Sequence, residues 1–189
     1  MTTGCACPDA YPDWNNRDID LGGHCVHALG IPAFLHMPLA YELYLKRQHD
    51  DVQALGLAEN WPNLVLTRTG MVGGTIMRLL EKTRSPSRHV KYLPRPFHVR
   101  GKLHLGDVGS MRNSVKEMQA ALLDSGRMPR ELYIAYLTCP LCAQQRGGPK
   151  ILLVRRWTES VLLKGRKTRA GVTASRPAET SAPQSDRRA

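Results

Sequence analysis

Apolar residues in this chain switch between two periods, and the switches mark out its elements. Residues 31–35 form a short apolar run that reads as a strand. From Pro38 the spacing turns helical. Tyr41, Leu45, Val52 and Leu55 share one face, Lys46, Arg47, Asp50 and Asp51 lie off it, and Gly56 suits the end. Pro38 fits a first helical position, where its missing N–H costs nothing. Residues 64–67, after Trp61-Pro62, read as a buried strand. Ile76, Leu79 and Leu80 then suggest a second helix over 71–82, ended by Ser85-Pro86.

Two extended pieces follow, 89–93 and 97–105, separated by Pro94 and Pro96. The clearest helix comes next. Val108, Met111, Val115, Met118 and Leu122 repeat at steps of three and four, Asp107 or Ser110 can cap the start, and Gly126 can close the end. Residues 131–138 and 150–157 are strand-like, and pairing them antiparallel makes a hairpin with a long, cysteine-bearing tip.

The predicted order is β-α-β-α-β-β-α-β-β: an α+β fold in one domain, with an antiparallel-rich sheet packed by about three helices. The expected division is an irregular Cys/His-bearing segment over 1–30, the α+β domain over 31–163, and a disordered basic tail over 164–189. The tail is rich in Arg, Ser, Thr, Ala and Pro and has little apolar surface to bury.

Composition narrows the class. Apolar residues are 42% and charged residues 23%, which is globular usage. No apolar run approaches the roughly 20 residues that cross a bilayer. Asp9, Asp13, Asp18 and Asp20 interrupt the start, where a secretory leader would need an apolar core. The expectation is a cytoplasmic protein without a membrane association.

The 27 basic and 16 acidic residues give a net charge of +11 and a pI near 9.8. Arg84, Arg88, Lys91, Arg95, Arg100 and Lys102 fall within 84–104 with no acid among them. That excess suits a small anionic ligand or an acidic partner, and together with the tail it suits nucleic acid. No nucleic-acid motif accompanies it, so a solvated basic face is the simpler reading.

The five cysteines are the sharpest feature. Cys5 and Cys7 form a C-x-C, Cys25 lies between His24 and His27, and Cys139 and Cys142 form a C-P-x-C. In a reducing compartment these are metal ligands or redox thiols before they are disulfides. A C-P-x-C at a strand-to-loop turn presents two thiolates to one point, half of a tetrahedral zinc site. Cys5 and Cys7, or His24, Cys25 and His27, can supply the other half if the N-terminal segment crosses the hairpin tip. A thiol-redox pair prefers a helix N-terminus, and Gln144-Gln145-Arg146-Gly147-Gly148 is poor helix.

Two weaker motifs remain. Residues 67–75 carry Gly70, Gly73 and Gly74 between a predicted strand and a predicted helix, where freed N–H groups can face an anion. The stretch lacks the Lys-Ser/Thr ending of a P-loop. His98 and His104 are six apart on one extended piece, so alternation puts both on one sheet face. No Ser-His-Asp elbow, H-E-x-x-H or paired-carboxylate signature appears.

Residues 88–157 resemble the GyrI-like small-molecule-binding domains. The likeness lies in Val-Lys-Tyr-Leu-Pro at 90–94, a strand reaching His104 and Gly106, an amphipathic helix ending in Gly126-Arg127-Met128-Pro129, and the paired strands 132–137 and 151–157. The resemblance implies a concave sheet made of two such units, holding apolar and often cationic compounds near a buried carboxylate. This chain has Arg155 and Arg156 on its last strand instead, so an anionic ligand suits its pocket better, with His98 and His104 as further candidates.

The leading reading is a small metal- and ligand-binding protein, with zinc at Cys139 and Cys142 plus N-terminal ligands. The rival readings are a metal- or thiol-dependent enzyme using Cys25, His24 and His27, and a nucleic-acid-binding protein.

Overall fold

The computed structural model describes residues 5–83, 85 and 87–160. The predicted basic tail and Arg84 lie outside the described residues. The elements in chain order are β1 (Asp18–Asp20), β2 (Cys25–Phe34), β3 (Met37–Pro38), α1 (Tyr41–Ala54), β4 (Leu66–Thr69), β5 (Gly73–Leu80), β6 (Val90–Tyr92), β7 (His98–Leu105), α2 (Met111–Asp124), β8 (Arg127–Tyr136), α3 (Pro140–Gln145) and β9 (Lys150–Glu159). The strands form one nine-stranded sheet in the order β1-β7-β9-β8-β4-β5-β2-β3, with β6 also paired to β2. Every ladder is antiparallel. The fold is α+β in a single domain, as the patterning predicts.

Alternation along the central strands divides the core between the two faces. Leu152 and Val154 of β9 join Leu66, Met77, Leu79 and Ala135 on one face. Ile151 and Leu153 point the other way, beneath Met118, Val115 and Met111 of α2. On that same face Ile76, Leu29 and Ile31 pack under Tyr41, Tyr44 and Leu45 of α1. The two helices therefore lie side by side across the sheet, with β8 and β4 between them. Each fully buried leucine here contributes about 1.5–3 kcal/mol by leaving water.

The second predicted helix is a strand. β5 occupies 73–80, and residues 76–80 are all buried. A strand covered on both faces loses its apolar–polar alternation, and Ile76, Met77, Leu79 and Leu80 around Arg78 fit a buried helical turn as well as a strand. The β-branched Thr75 and Ile76 favour the extended form, and Gly73 and Gly74 disfavour a helix there. Gly74 is also required by contact, since a Cβ there would lie 2.6 Å from the Arg68 carbonyl oxygen. With no helix after it, the glycine-rich 67–75 stretch is a β-hairpin, and the anion reading loses its helix N-terminus.

The N-terminal part is more regular than its composition suggests. The strand predicted at 31–35 begins at Cys25 and pairs with β5 along most of its length. Pro38 is not helical but pairs with Ala33, and α1 starts after Ala40, which takes a left-handed turn at φ 50°. Upstream, the chain lies along β7: Asn16 N–H donates to the Gly101 carbonyl at 2.9 Å and Gly101 N–H to Arg17 at 3.0 Å. Any side chain at Gly101 would meet the Trp14 carbonyl at 2.4 Å, so glycine there lets the Trp14 segment close on the sheet.

One buried group makes stability depend on pH. His27 on β2 is 0% exposed, and neither ring nitrogen has a hydrogen-bond partner among the described residues. Burial lowers its pKa, the nearby Asp51 carboxylate at 4.0 Å opposes that, and His89 and Arg78 reinforce it. The folded pKa is thus below the unfolded value of about 6.5. The contribution is full above that value and is lost as pH falls through it toward the folded pKa. We expect His27→Phe to flatten the pH dependence of the thermal melts below about pH 7, reducing the slope there by up to about 1.4 kcal/mol per pH unit.

Candidate metal centre and adjoining groove

The β8–β9 hairpin builds one half of the centre. Its end is closed by Lys150 N–H donating to Thr138 Oγ1 at 2.8 Å and by Leu137 N–H donating to the Lys150 carbonyl at 3.0 Å. Cys139 then leaves in extended geometry as the N-cap of α3, with Pro140 opening the helix and Cys142 one turn on. Gly147 and Gly148, at φ 76° and 106°, return the chain to β9. The sequence reading missed α3, which is only six residues long and carries two glutamines.

The N-terminal arm supplies the other half. Arg146 fixes it by donating to the Pro8 carbonyl at 2.8 Å and pairing with Asp9 at 3.0 Å. This sets Cys5 Sγ 3.3 Å from Cys139 Sγ and 3.1 Å from Cys142 Sγ, while Cys139 N–H donates to Cys7 Sγ at 3.0 Å. All four sulfurs lie within 4.8 Å of one another. These separations are too long for a disulfide bond of about 2.05 Å. A tetrahedral ion with sulfur bonds of about 2.3 Å sets its ligands roughly 3.8 Å apart, which the observed spacing brackets. Four cysteines can hold a metal ion here.

The electrostatics agree with that geometry. The Cys142 backbone N–H, followed by the Cys5 thiol, holds the Cys139 pKa down to about 6. Burial and the Cys5 thiol push Cys7 up, and Cys5 followed by burial pushes Cys142 up. Crowded thiols cannot all ionise without a cation, and a bound cation would deprotonate them together.

His24, Cys25 and His27 lie elsewhere. Cys25 and His27 are buried on β2, and His24 immediately precedes it. Among the described residues they form no metal-holding group with the four cysteines.

The four predicted ligand-facing residues are dispersed. Arg156 turns to the sheet face opposite Arg155, over the Phe97 ring at 4.7 Å, and pairs with Glu131 at 3.4 Å. His98 stacks on Trp157, with centroids 4.7 Å apart. His104 ties β7 to the start of α2 through Ser114 at 2.9 Å and Ser110 at 3.1 Å. Arg155 lines a cavity.

That cavity is half of a groove along α1, with α2 across this half and the end of the β8–β9 hairpin across the other. One part, about 800 Å³, runs to the cysteine cluster past Leu45, His49 and Thr138. The other, about 890 Å³, runs past Thr67, Ile134 and Met111 to Arg155. Tyr41 and Tyr136 line both. Tyr41 is held by a 2.6 Å hydrogen bond to Thr67, and burial raises the pKa of both tyrosines. The sequence alone assigns no role to Glu131 or Tyr136. The alternation of Leu132, Ile134 and Tyr136 along β8 was the available signal.

Comparison with solved structures finds the same fold in two EcmrR structures. The crystal structure of the EcmrR C-terminal domain matches with a TM-score of 0.56 at 11% identity, over 76% of this chain and 96% of that one. The cryo-EM structure of an EcmrR–DNA complex matches with a TM-score of 0.53 at 11% identity, over 76% of this chain and 57% of that one. No curated protein matches the sequence. The family model described as bacterial hydrolase matches residues 1–157, from the N-terminal arm with Cys5 and Cys7 to the last strand, β9. With the hairpin cysteines, the groove and the sheet all inside that match, this chain belongs to the bacterial hydrolase family.

Proposed function

We propose that this chain is a small-molecule-binding domain of GyrI-like architecture whose N-terminal arm is fastened by a zinc ion at Cys5, Cys7, Cys139 and Cys142. The observation that carries the metal assignment is the meeting of four sulfurs within 4.8 Å from two ends of the chain. An all-cysteine set favours a thiophilic ion and a structural, closed role. The groove between α1 and α2 is the ligand site, a reading supported by its place between two helix-on-sheet units. A zinc-thiolate centre suits a reducing compartment, in keeping with the cytoplasm.

A second reading is favoured by the family description: turnover by hydrolysis in the same groove, whose titratable lining includes Glu131, Tyr41, Tyr136, His36 and His49. Nucleic-acid binding through residues 84–104 has less support. Arg100 is paired with Asp18, and Lys102 with Glu117, so two of its cations are already occupied.

Metal analysis of untagged protein tests the proposal, paired with thiol counting before and after chelation. The expected result is about one zinc per chain, with Cys5, Cys7 and Cys139 reacting only after the chelator. A metal-free protein whose half-exposed Cys5, Cys7 and Cys139 react at once would overturn it.

A further inference from the structure

The groove carries a cation that has no hydrogen-bond partner among the described residues, with the Glu131 carboxylate acting on it only through space. Arg155 enters it from β9, and its Nε is buried with no hydrogen-bond partner among the described residues. Its cross-strand neighbours are Leu132 on β8 and Arg100 on β7. Leu132 offers nothing polar, and Arg100 adds a like charge while spending its own guanidinium on Asp18 at 2.9 and 2.5 Å. Glu131 lines the same cavity, but its carboxylate oxygens take Arg156, at 3.4 and 3.5 Å. Arg68 supplies a second lining cation. A buried N–H without an acceptor costs free energy that an incoming anion would recover.

The rest of the cavity is apolar. Leu132, Ile134 and Met111 line it beside Arg155. Met37 and Val108, also in its lining, are 71% and 53% exposed. Exposed apolar side chains at the lip of a cavity whose interior holds this guanidinium define a two-part recognition surface. We propose that the groove binds an amphipathic anion, its carboxylate or equivalent oxyanion on Arg155 and its apolar body along Leu132, Ile134 and Met111. This inference rests on the groove being the small-molecule site. It reverses the charge preference that the GyrI-like resemblance implies.

The experiment uses the full-length, metal-loaded protein and calorimetric titration with three probes of one chain length: decanoate, 1-decanol and decyltrimethylammonium. Decanoate should bind at least about tenfold more tightly than the other two, since one charge-assisted hydrogen bond separates them. Arg155→Gln should remove that margin while leaving decanol binding and metal content unchanged and without lowering the melting temperature. Ile134→Trp, which fills the groove, should abolish binding of all three.

Equal affinity for decanoate and decanol, or tightest binding of the cation, would overturn the anion assignment and leave the groove reading intact. Binding that survives Ile134→Trp would overturn the groove reading itself. So would the failure of every probe to bind the unaltered protein.

Discussion

Chelating the metal, or replacing Cys139 and Cys142 by serine, should lower the melting temperature by roughly 8–16 °C. The estimate follows from linkage. A ligand present at about a thousand times its Kd stabilises the folded state by about 4 kcal/mol, and a protein of this size shifts by about 2–4 °C per kcal/mol. The loss should be local in origin. Trp14 is 7% exposed and packs edge-on against Trp61 at 5.6 Å, so the chain from Trp14 onward has its own anchor. Before Trp14, the described contacts to the hairpin end are the cysteine cluster and the two Arg146 contacts at Pro8 and Asp9. Hydrogen exchange should therefore show Cys139, whose N–H donates to Cys7 Sγ at 3.0 Å, losing protection on chelation while β7, β8 and β9 keep theirs. Cys5→Ser/Cys7→Ser should match Cys139→Ser/Cys142→Ser, because either pair leaves only two sulfurs. An unchanged melting temperature after verified metal removal would refute the structural role, and so would unequal effects of the two pairs.

The contrast between what was legible and what was not has a physical basis. α2 was readable because its apolar residues sit on one face and Gly126 ends it with a φ of 75°. β7, β8 and β9 were readable because proline and glycine punctuate short β-rich runs. β5 was misread because burial on both faces removes the alternation that distinguishes a strand from a helix.

The same distinction applies to the site. Cys139 and Cys142 advertise themselves by their spacing, and Cys5 and Cys7 were among the partners weighed for them. The choice against His24, Cys25 and His27 depended on β2 pairing into the sheet, which fixes those three away from the hairpin tip. The groove was illegible for another reason. Tyr41, Thr67, Glu131, Tyr136 and Arg155 come from α1, β4, β8 and β9, and only the β8–β4 adjacency brings them together. Arg155 and Arg156 look equivalent in sequence, yet consecutive strand positions put them on opposite faces with different partners.

Glu59→Ala should destabilise the protein by about 3–5 kcal/mol, the range for stranding one member of a buried ion pair. The side chains of Arg78 and Glu59 are 5% and 7% exposed, and Arg78 Nη1 donates to both Glu59 oxygens at 2.9 and 3.0 Å. The pair is part of a longer chain of bonds. Arg78 Nε donates to Gln48 Oε1 at 3.2 Å, and Gln48, 0% exposed on α1, donates to the carbonyls of His27 at 3.1 Å and Ile76 at 3.3 Å. Glu59 also accepts from Asn63 N–H at 3.2 Å, which ties in the loop before β4. Removing the carboxylate leaves a guanidinium in the core with a neutral amide as its remaining partner, next to the buried His27 ring. The expected fall in melting temperature is about 6–20 °C. Arg78→Met combined with Glu59→Leu should recover most of the loss, because the cost lies in the uncompensated charge and not in the missing volume. If the double variant is instead as unstable as Glu59→Ala, the network acts through shape and the bonds through Gln48, and the ion pair itself contributes little. Gln48→Leu separates these cases: it keeps the charges paired while cutting the link from α1 to β2 and β5, and should cost about 1–3 kcal/mol for the polar atoms it leaves unsatisfied.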